Sequence, residues 1–321
     1  MYRPQITVVD CTIRDGGLMN NSRFSKEFVK AVYRAVCDAG IQVVELGYRN
    51  SKKFFSTKEY GETRFCDEDY LRDIVGEKKG ETKIAVMMDS HKADAADLLP
   101  KAESVVDMVR IATYVKDVDK AIHLENEARK KGYLTTINIM AISQTIEWEL
   151  DEALQQLNDE TGAAAVYIVD SFGSLYSEDM DYYIERYRKH LKNKEIGVHC
   201  HNSKQLAFAN TIEGIIKEAN YLDATIYGIG RAAGNCPLEL LLGFLKNPKF
   251  DIRPILDVIS SHVEPLRSQI QWGSEIIPFM IAGIMNTHPE EAMKLMALPK
   301  DDPKRRDYRA FYEKSLEIIE P

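Results

Sequence analysis

The chain has 321 residues, of which 45% are hydrophobic and 29% charged, and its formal net charge is −8. That length allows one large core or two domains, and an acidic chain without a long basic run argues against nucleic-acid binding. No stretch approaches the roughly 20 apolar residues of a membrane span, and no signal peptide precedes the first predicted strand. Five scattered cysteines fit a reducing compartment, so we predict a cytoplasmic protein without a membrane partner.

Short, β-branched apolar runs alternate with amphipathic helical patterns along most of the chain. The predicted strands are Ile6–Asp10, Gln42–Gly47, Lys83–Met88, Met108–Thr113, Leu134–Met140, Ala165–Asp170, Ile196–His201 and Asp223–Tyr227. The predicted helices between them include Ser25–Ala39, Asp117–Lys131, Thr145–Thr161, Ser177–Lys192 and Ser203–Ala219. Such alternation over about 250 residues predicts an α/β fold of the (β/α)₈ TIM-barrel type. A doubly wound sheet is the alternative, but Gly16-Gly17 is a weak match to its phosphate loop.

The last part of the chain breaks this rhythm. Its predicted helices are Ile252–Arg267, Ile276–Met285, Pro289–Met296 and Lys304–Ile319. We therefore predict a catalytic barrel domain over residues 1–250 and a helical C-terminal extension over residues 251–321. The extension packs either on the barrel or on a neighbouring subunit, so a homodimer is one assembly that it allows.

Two histidines close together on one strand are the first candidate for a functional site. In Gly197-Val-His199-Cys-His201, the side chains of His199 and His201 point the same way, because side chains alternate along a strand. Both can reach one cation, whereas Cys200 points away and is interpreted as packing. Two ligands do not make a metal site, and two unrelated histidines are the alternative.

The N-terminal segment Cys11-Thr-Ile-Arg14-Asp15-Gly-Gly17 offers a third ligand. Asp15 supplies a carboxylate just after the first strand, and Arg14 can fork onto a carboxylate or a developing oxyanion. The alternative is a surface Arg–Asp pair, which contributes little. Cys11 is the likelier reactive thiol of the chain, because it adjoins this loop.

Polar residues cluster where the predicted strands end, which is where barrels place catalytic groups. They are Arg14, Asp15, Glu45, Tyr48, Arg49, Asp89, Thr113, Tyr114, Asn138, Asp170, Ser171, His199, His201, Arg231 and Asn235. Burying so many polar groups at one end of a barrel is unfavourable unless they are paired or bind a metal.

Several motifs resemble those of the metal-dependent lyase and condensing-enzyme superfamily that carries Asp, Arg and Glu on a TIM barrel and includes HMG-CoA lyase. Asp10-Cys-Thr-Ile-Arg-Asp-Gly16 is similar to its D-x-T-x-R-D-G, and Val198-His-Cys-His-Asn202 to its H-x-H-N strand. Val43-Val-Glu45-Leu-Gly47 resembles its strand-two segment, and residues 228–239 resemble its glycine-rich segment. Asn235-Cys-Pro-Leu-Glu239 brings the chain closest to the 4-hydroxy-2-oxovalerate aldolase branch.

This resemblance implies that Asp15, His199 and His201 bind a divalent metal, Mn²⁺ or Mg²⁺. It implies catalytic roles for Arg14 and Glu45, and substrate contacts from Asp170, Ser171 and Asn235; Tyr48 is a further predicted catalytic residue, for proton transfer. The implied reaction is cleavage of a small 4-hydroxy-2-oxo acid to pyruvate and an aldehyde through a metal-stabilised enolate. A partner dehydrogenase is not inferred.

Two departures from the aldolase pattern concern proton transfer. Leu18 stands where the aldolase has a histidine base, and the tail has Ile281 and Met285 where the aldolase has a tyrosine. The candidate replacements are Tyr48, Tyr114, Tyr227 and His288. The alternatives are an acyl-CoA-condensing synthase of the isopropylmalate or citramalate type, which usually has a longer tail, and a non-catalytic metal-binding barrel.

Overall fold

The computed structural model describes residues 3–77 and 80–319. Its strands pair in parallel and in sequence order into a closed barrel of eight, with β8 beside β1. They are Thr7–Asp10 (β1), Val43–Tyr48 (β2), Lys83–Asp89 (β3), Met108–Thr113 (β4), Leu134–Ile139 (β5), Ala165–Asp170 (β6), Glu195–Cys200 (β7) and Tyr221–Ala224 (β8). The predicted TIM barrel is confirmed, and seven strands agree with the prediction to within one residue at each end.

The eighth strand is where the prediction was wrong. It begins at Tyr221 and ends at Ala224, instead of running over Asp223–Tyr227. Thr225 donates its backbone N–H to Cys236, and a 3₁₀ turn follows in which Tyr227 has a φ of 55°. A left-handed residue cannot continue a strand, so the apolar character of residues 226 and 227 serves packing.

The helices surround the barrel and continue beyond it. They are Thr12–Gly16 (α1), Lys26–Asp38 (α2), Glu68–Val75 (α3), Val118–Lys130 (α4), Glu147–Glu160 (α5), Ser177–His190 (α6), Ala207–Ile216 (α7), Leu238–Leu245 (α8), Arg253–Val258 (α9), Glu264–Leu266 (α10), Ile277–Ile284 (α11), Glu290–Ala297 (α12) and Tyr308–Ile319 (α13). Among the residues described, none of these helices combines the length and apolar character needed to cross a bilayer.

The helix after β7 starts later than predicted. Residues 202–206 form a turn in which Gln205 donates its N–H to the Asn202 carbonyl and has a φ of 62°. The Asn202 side chain then accepts the N–H of Ala207, the first residue of α7. An asparagine that bonds nearby backbone favours such a turn over helix.

The core has two parts, because strand residues alternate between the two faces of the barrel wall. Val44 and Leu46 of β2 face the helices and belong to the large apolar core, whereas Val43 belongs to a small cluster inside the barrel. Val198 and Cys200 of β7 likewise belong to the outer core, so Cys200 packs there as predicted. His199 is on the opposite face of β7 and therefore points into the barrel interior.

The tail helices pack against the loops at the C-terminal end of the barrel. Trp272 donates its indole N–H to the Tyr227 carbonyl, and Phe279 and Ala282 of α11 pack against Ala232 and Ala233 in the loop after β8. The helical character predicted for the tail is confirmed. The domain boundary at residue 250 stays a prediction.

Candidate metal centre

Asp15, His199 and His201 meet at the C-terminal end of the barrel. Asp15 lies on α1 directly after β1, His199 lies in β7, and His201 follows β7 in a bridge to Asn235. All three are buried, and their ligand atoms lie within 4.8 Å of one another. Asp15 Oδ2 is 3.4 Å from His199 Nε2, and Asp15 Oδ1 is 3.7 Å from His201 Nε2. These spacings leave room for one ion among the three side chains.

The hydrogen bonds of the two histidines orient them for metal binding. His199 Nδ1 is 2.9 Å from Asp223 Oδ2, and His201 Nδ1 is 3.0 Å from the Asp170 carbonyl oxygen. The Nε2 atom of each histidine is buried and has no hydrogen-bond partner. A ring nitrogen bonded to an oxygen acceptor carries the proton, which leaves the Nε2 lone pair for a cation. The donor set therefore fits a divalent metal.

The ionisation states of His201 and Asp15 also suit a cation. Burial lowers the pKa of His201 to about 4, so its imidazole is neutral at pH 7. Burial alone would raise the pKa of Asp15, but the Arg14 guanidinium and interactions with His199 and His201 together outweigh it and hold that pKa well below its usual range. A neutral imidazole and an ionised carboxylate are the forms that bind metal.

Arg14 links the metal centre to Glu45. Its NH1 atom is 2.5 Å from Asp15 Oδ2, and its Nε atom is 2.7 Å from Glu45 Oε2. All three side chains are buried, so the bonds fix the guanidinium rigidly beside the ligand carboxylate. The predicted proximity of Arg14 to the metal site is therefore present in the structure. Glu45 reaches that site through other side chains, Arg14 among them, which makes it a positioning residue in our interpretation.

A second arginine, Arg110 of β4, crosses the barrel interior below this pair. It lies 3.1 Å from Glu45 Oε2 and 2.6 Å from Asp223 Oδ2, and it is fully buried. Because Asp223 also bonds His199, the ion pairs join both sides of the metal centre in one network. Three carboxylates face two guanidiniums in that network, and a bound cation would offset the remaining negative charge.

Sequence reasoning missed Arg110 and gave Asp223 no role. The available signal was an arginine inside the apolar strand run Met108–Thr113, because a buried charge requires a partner. Cys11 lies in the same interior, where Arg110 NH1 is 3.2 Å from its sulfur. Burial raises the pKa of the Cys11 thiol well above its usual range, so the prediction of a reactive thiol was wrong.

A cavity of about 580 Å³ opens above the metal centre and is lined by Arg14, Asp15, His199 and His201. Tyr48 lies in its wall with Leu18, and Tyr114 and His288 also line it. His288 comes from the tail, and its Nε2 atom lies 2.8 Å from Nη1 of Arg231, which follows β8. Tyr227 is not among the lining residues and packs on Trp272 instead.

The three residues predicted to contact substrate differ in position. Ser171 lines the cavity, and its hydroxyl accepts the Ala141 N–H at 2.8 Å. Asp170 lies outside the lining, where it accepts the N–H of Ser174 at 2.9 Å and so shapes the loop after β6. Asn235 is also buried behind the lining, and its Oδ1 atom has no partner. A Cβ on Gly230 would lie 2.1 Å from Asn235 Nδ2 and 2.8 Å from Asp15 Oδ1, so the absence of a side chain at residue 230 makes room for both side chains.

Known proteins share both this sequence pattern and this fold. The sequence matches the HMGL-like family over residues 5–260. The 4-hydroxy-2-oxovalerate aldolase of Thermus thermophilus is 30% identical over 263 residues, which are 81% of this chain and 75% of the relative. The protein of that name from Bacillus cereus is 30% identical over 298 residues, or 89% of this chain and 85% of the relative. A crystallised N-terminal domain from Bacteroides vulgatus is 29% identical, with a TM-score of 0.80 over 92% of this chain and 97% of that one. The chain belongs to the HMGL-like family.

Proposed function

We propose that this protein is a divalent-metal-dependent aldolase that cleaves a 4-hydroxy-2-oxo acid to pyruvate and an aldehyde. The observation that carries the proposal is Arg14, held by Glu45 at 2.7 Å and by Asp15 at 2.5 Å in the wall of the cavity above the metal centre. A guanidinium fixed beside a cation site suits charge that develops on an oxygen. The 30% identity to 4-hydroxy-2-oxovalerate aldolases supports the same reaction.

The proposed reaction breaks one carbon–carbon bond and transfers two protons, one to a base and one from an acid, and proton exchange with solvent restores both groups. The C4 hydroxyl gives its proton to a base, the C3–C4 bond breaks to release the aldehyde, and its electron pair forms the enolate of pyruvate. Protonation of C3 then gives pyruvate, so no oxidant or reductant is required. When bound by Asp15, His199 and His201, the metal supplies Lewis-acid polarisation of the 2-oxo group. Arg14 donates hydrogen bonds to the enolate oxygen.

Tyr48 and His288 are the residues to which we assign the proton transfers. Burial raises the pKa of Tyr48, although Arg14 and Arg64 partly oppose this shift. A phenol that keeps its proton at neutral pH suits the donor to C3 better than the base. His288 lines the same cavity, and burial lowers its pKa to about 4. Its imidazole is therefore neutral, and it would take the hydroxyl proton at Nε2 once the substrate displaces the Arg231 N–H that lies 2.8 Å from that atom.

Exchange of the pyruvate methyl protons with D₂O tests the enolate mechanism without needing the aldehyde. We expect the Mn²⁺-supplemented protein to catalyse the exchange and to decarboxylate oxaloacetate. Arg14→Lys keeps the positive charge but loses the paired N–H donors of the guanidinium. It should therefore reduce both rates by about 100-fold or more with little change in melting temperature. Arg253→Lys on the exposed surface of α9 is the matched control.

Two results would contradict the proposal. One is a wild-type protein that catalyses neither exchange nor decarboxylation. The other is Arg14→Lys retaining the same rates as Arg253→Lys, which would show that Arg14 has only a structural role.

A further inference from the structure

Two arginines line the cavity besides Arg14, and the proposed mechanism uses neither. The first, Arg231, donates to the Ser171 carbonyl and lies 2.8 Å from His288 Nε2; the second is Arg64.

Arg64 lies in the 3₁₀ turn Glu62–Arg64 after β2, is only 7% exposed, and lines the cavity. Its guanidinium carbon is 4.8 Å from the ring centre of Tyr48 and 4.9 Å from those of Phe55 and Tyr60. These three rings form an aromatic cage that holds the cation in place.

The guanidinium of Arg64 has no anionic partner within residues 3–77 and 80–319. No side-chain hydrogen bond or carboxylate within 4 Å is found for it there, and its buried Nε atom is unsatisfied. The other buried arginines differ, because Arg14 and Arg110 bond carboxylates and Arg49 lies 3.6 Å from Glu68. Burying an unpaired charge is strongly unfavourable, and aromatic rings offset only part of that penalty. The geometry therefore calls for an anion from outside the chain.

The surroundings of Arg64 in the cavity favour an anion there. Lys92 and Lys116 also line this cavity. Besides Asp15 at the metal centre, two carboxylates line it, and each is already paired: Asp117 lies 2.8 Å from His91 and from Lys120, and Asp89 lies 3.6 Å from Lys92. Of Arg64, Lys92 and Lys116, only Arg64 is a buried cation, and it has no counter-ion among the residues described. Tyr48 adjoins it, and Tyr48 lines the cavity together with Arg14.

Building on the proposed function, we propose that Arg64 binds an anionic group, a carboxylate or a phosphate, on the aldehyde half of the substrate. With the 2-oxo acid end at the metal centre, the aldehyde half extends along the same cavity toward the cage. The substrate class is then a 4-hydroxy-2-oxo acid that bears a second acidic group. A guanidinium recognises either anion through paired N–H donors, and a neutral aldehyde leaves it unpaired.

Aldol addition of pyruvate to matched aldehydes tests this specificity and separates the two kinds of anion. Succinic semialdehyde is compared with butanal, and glyceraldehyde 3-phosphate with glyceraldehyde. We expect the wild type to prefer the anionic member of at least one pair by about 100-fold in kcat/KM. Arg64→Leu should remove that preference, and Arg64→Lys should keep part of it. Arg253→Leu, which removes an exposed arginine, should preserve it.

A binding measurement tests the anion site without turnover. 2-Oxoadipate and 2-oxohexanoate share their chain length and their 2-oxo acid end and differ in the terminal carboxylate. Calorimetry on the Mn²⁺-supplemented protein should show tighter binding of 2-oxoadipate in the wild type and equal binding in Arg64→Leu. Each comparison is a ratio of two ligands measured on the same variant, so partial unfolding lowers both values and leaves the ratio unchanged. If Arg64→Leu does not fold at all, the preference of the wild type for the anionic ligand still tests the proposal.

The two proposals fail in different ways. If pyruvate exchanges its protons but neither aldehyde pair nor the oxo-acid pair shows a preference for the anion, the role of Arg64 is overturned and the aldolase proposal stands. If exchange is absent but 2-oxoadipate binds more tightly through Arg64, the anion site is supported and the aldolase reaction is wrong.

Discussion

At the level of single residues, the metal centre depends on which atom of each ligand is already bonded. Both histidines use Nδ1 for an oxygen acceptor, which leaves both Nε2 atoms facing Asp15. The acceptors differ, because a carboxylate holds His199 whereas a backbone carbonyl holds His201. A carboxylate makes an imidazole more basic, so His199 should be the stronger of the two ligands.

Asp10 gives a prediction about pH. Burial raises its pKa from 3.8 to about 7, although hydrogen bonds from Thr12 oppose the shift. Between these values the folded protein holds a proton that the unfolded chain has released. Stability therefore falls as pH rises through this window, by at most about 1.4 kcal/mol per pH unit for one group.

Asp10→Asn stays neutral and can still accept the Thr12 hydroxyl, so it should lose this dependence. The free energy of unfolding of both proteins, measured in chelator at pH 5 and pH 8, should show the variant gaining on the wild type as pH rises. Parallel pH profiles for the two proteins would contradict the assignment.

At the level of elements, α11 is pressed against the loops that follow β6 and β7. A Cβ on Gly283 would lie 2.5 Å from Ser203 Cβ and 3.3 Å from the Gly173 carbonyl oxygen. The helix can approach this closely only because residue 283 has no side chain. The same packing places the segment after α11, which carries His288, at the catalytic cavity.

Gly283→Ala should therefore destabilise the protein by about 1–3 kcal/mol through overpacking and lower its activity by moving His288. Gly243→Ala on α8 is the control, because a Cβ there meets no atom within 4 Å. Alanine should stabilise that helix by up to about 1 kcal/mol relative to glycine. Denaturant unfolding and pyruvate proton exchange measure both effects, and equal behaviour of the two variants would rule out the close packing of α11.

At the level of the whole molecule, the proposed metal binding would be coupled to folding, because the three candidate ligands come from the two ends of the barrel sequence. Asp15 lies on α1 and His201 follows β7, so the site exists only when the barrel is closed. A ligand that binds only the folded state stabilises it, by about 2.7 kcal/mol when the free ligand is at 100 times its Kd.

Mn²⁺ should accordingly raise the melting temperature in a concentration-dependent way, and His201→Ala should abolish the increase. His123→Ala is the matched control, since His123 is exposed on α4. Elemental analysis of the same proteins, purified without chelator, should show metal in the wild type and in the control. The same shift and metal content in all three proteins would exclude His201 as a ligand.

Local patterns in the sequence were enough to predict the barrel and the main part of the site. Alternation along β7 put His199 and His201 on one side, and residues that follow parallel strands share one end of a barrel. Asp15 and Arg14 follow β1 and so meet the histidines where expected. The end of β8 was not predictable in this way, because Tyr227 leaves the strand through a left-handed turn although its residue type favours a strand.

Only the tertiary structure decided how the buried charges are paired. Arg110 and Asp223 are 113 positions apart and meet because the barrel closes on itself. Arg64 is one charged residue in a polar segment of the sequence. Only folding surrounds it with three rings and, within the part of the chain that the structure describes, leaves it without a carboxylate partner. Local periodicity determines which residues form strands and helices. Long-range contacts determine which buried charges are paired, and the proposed substrate class depends on the pairing of Arg64.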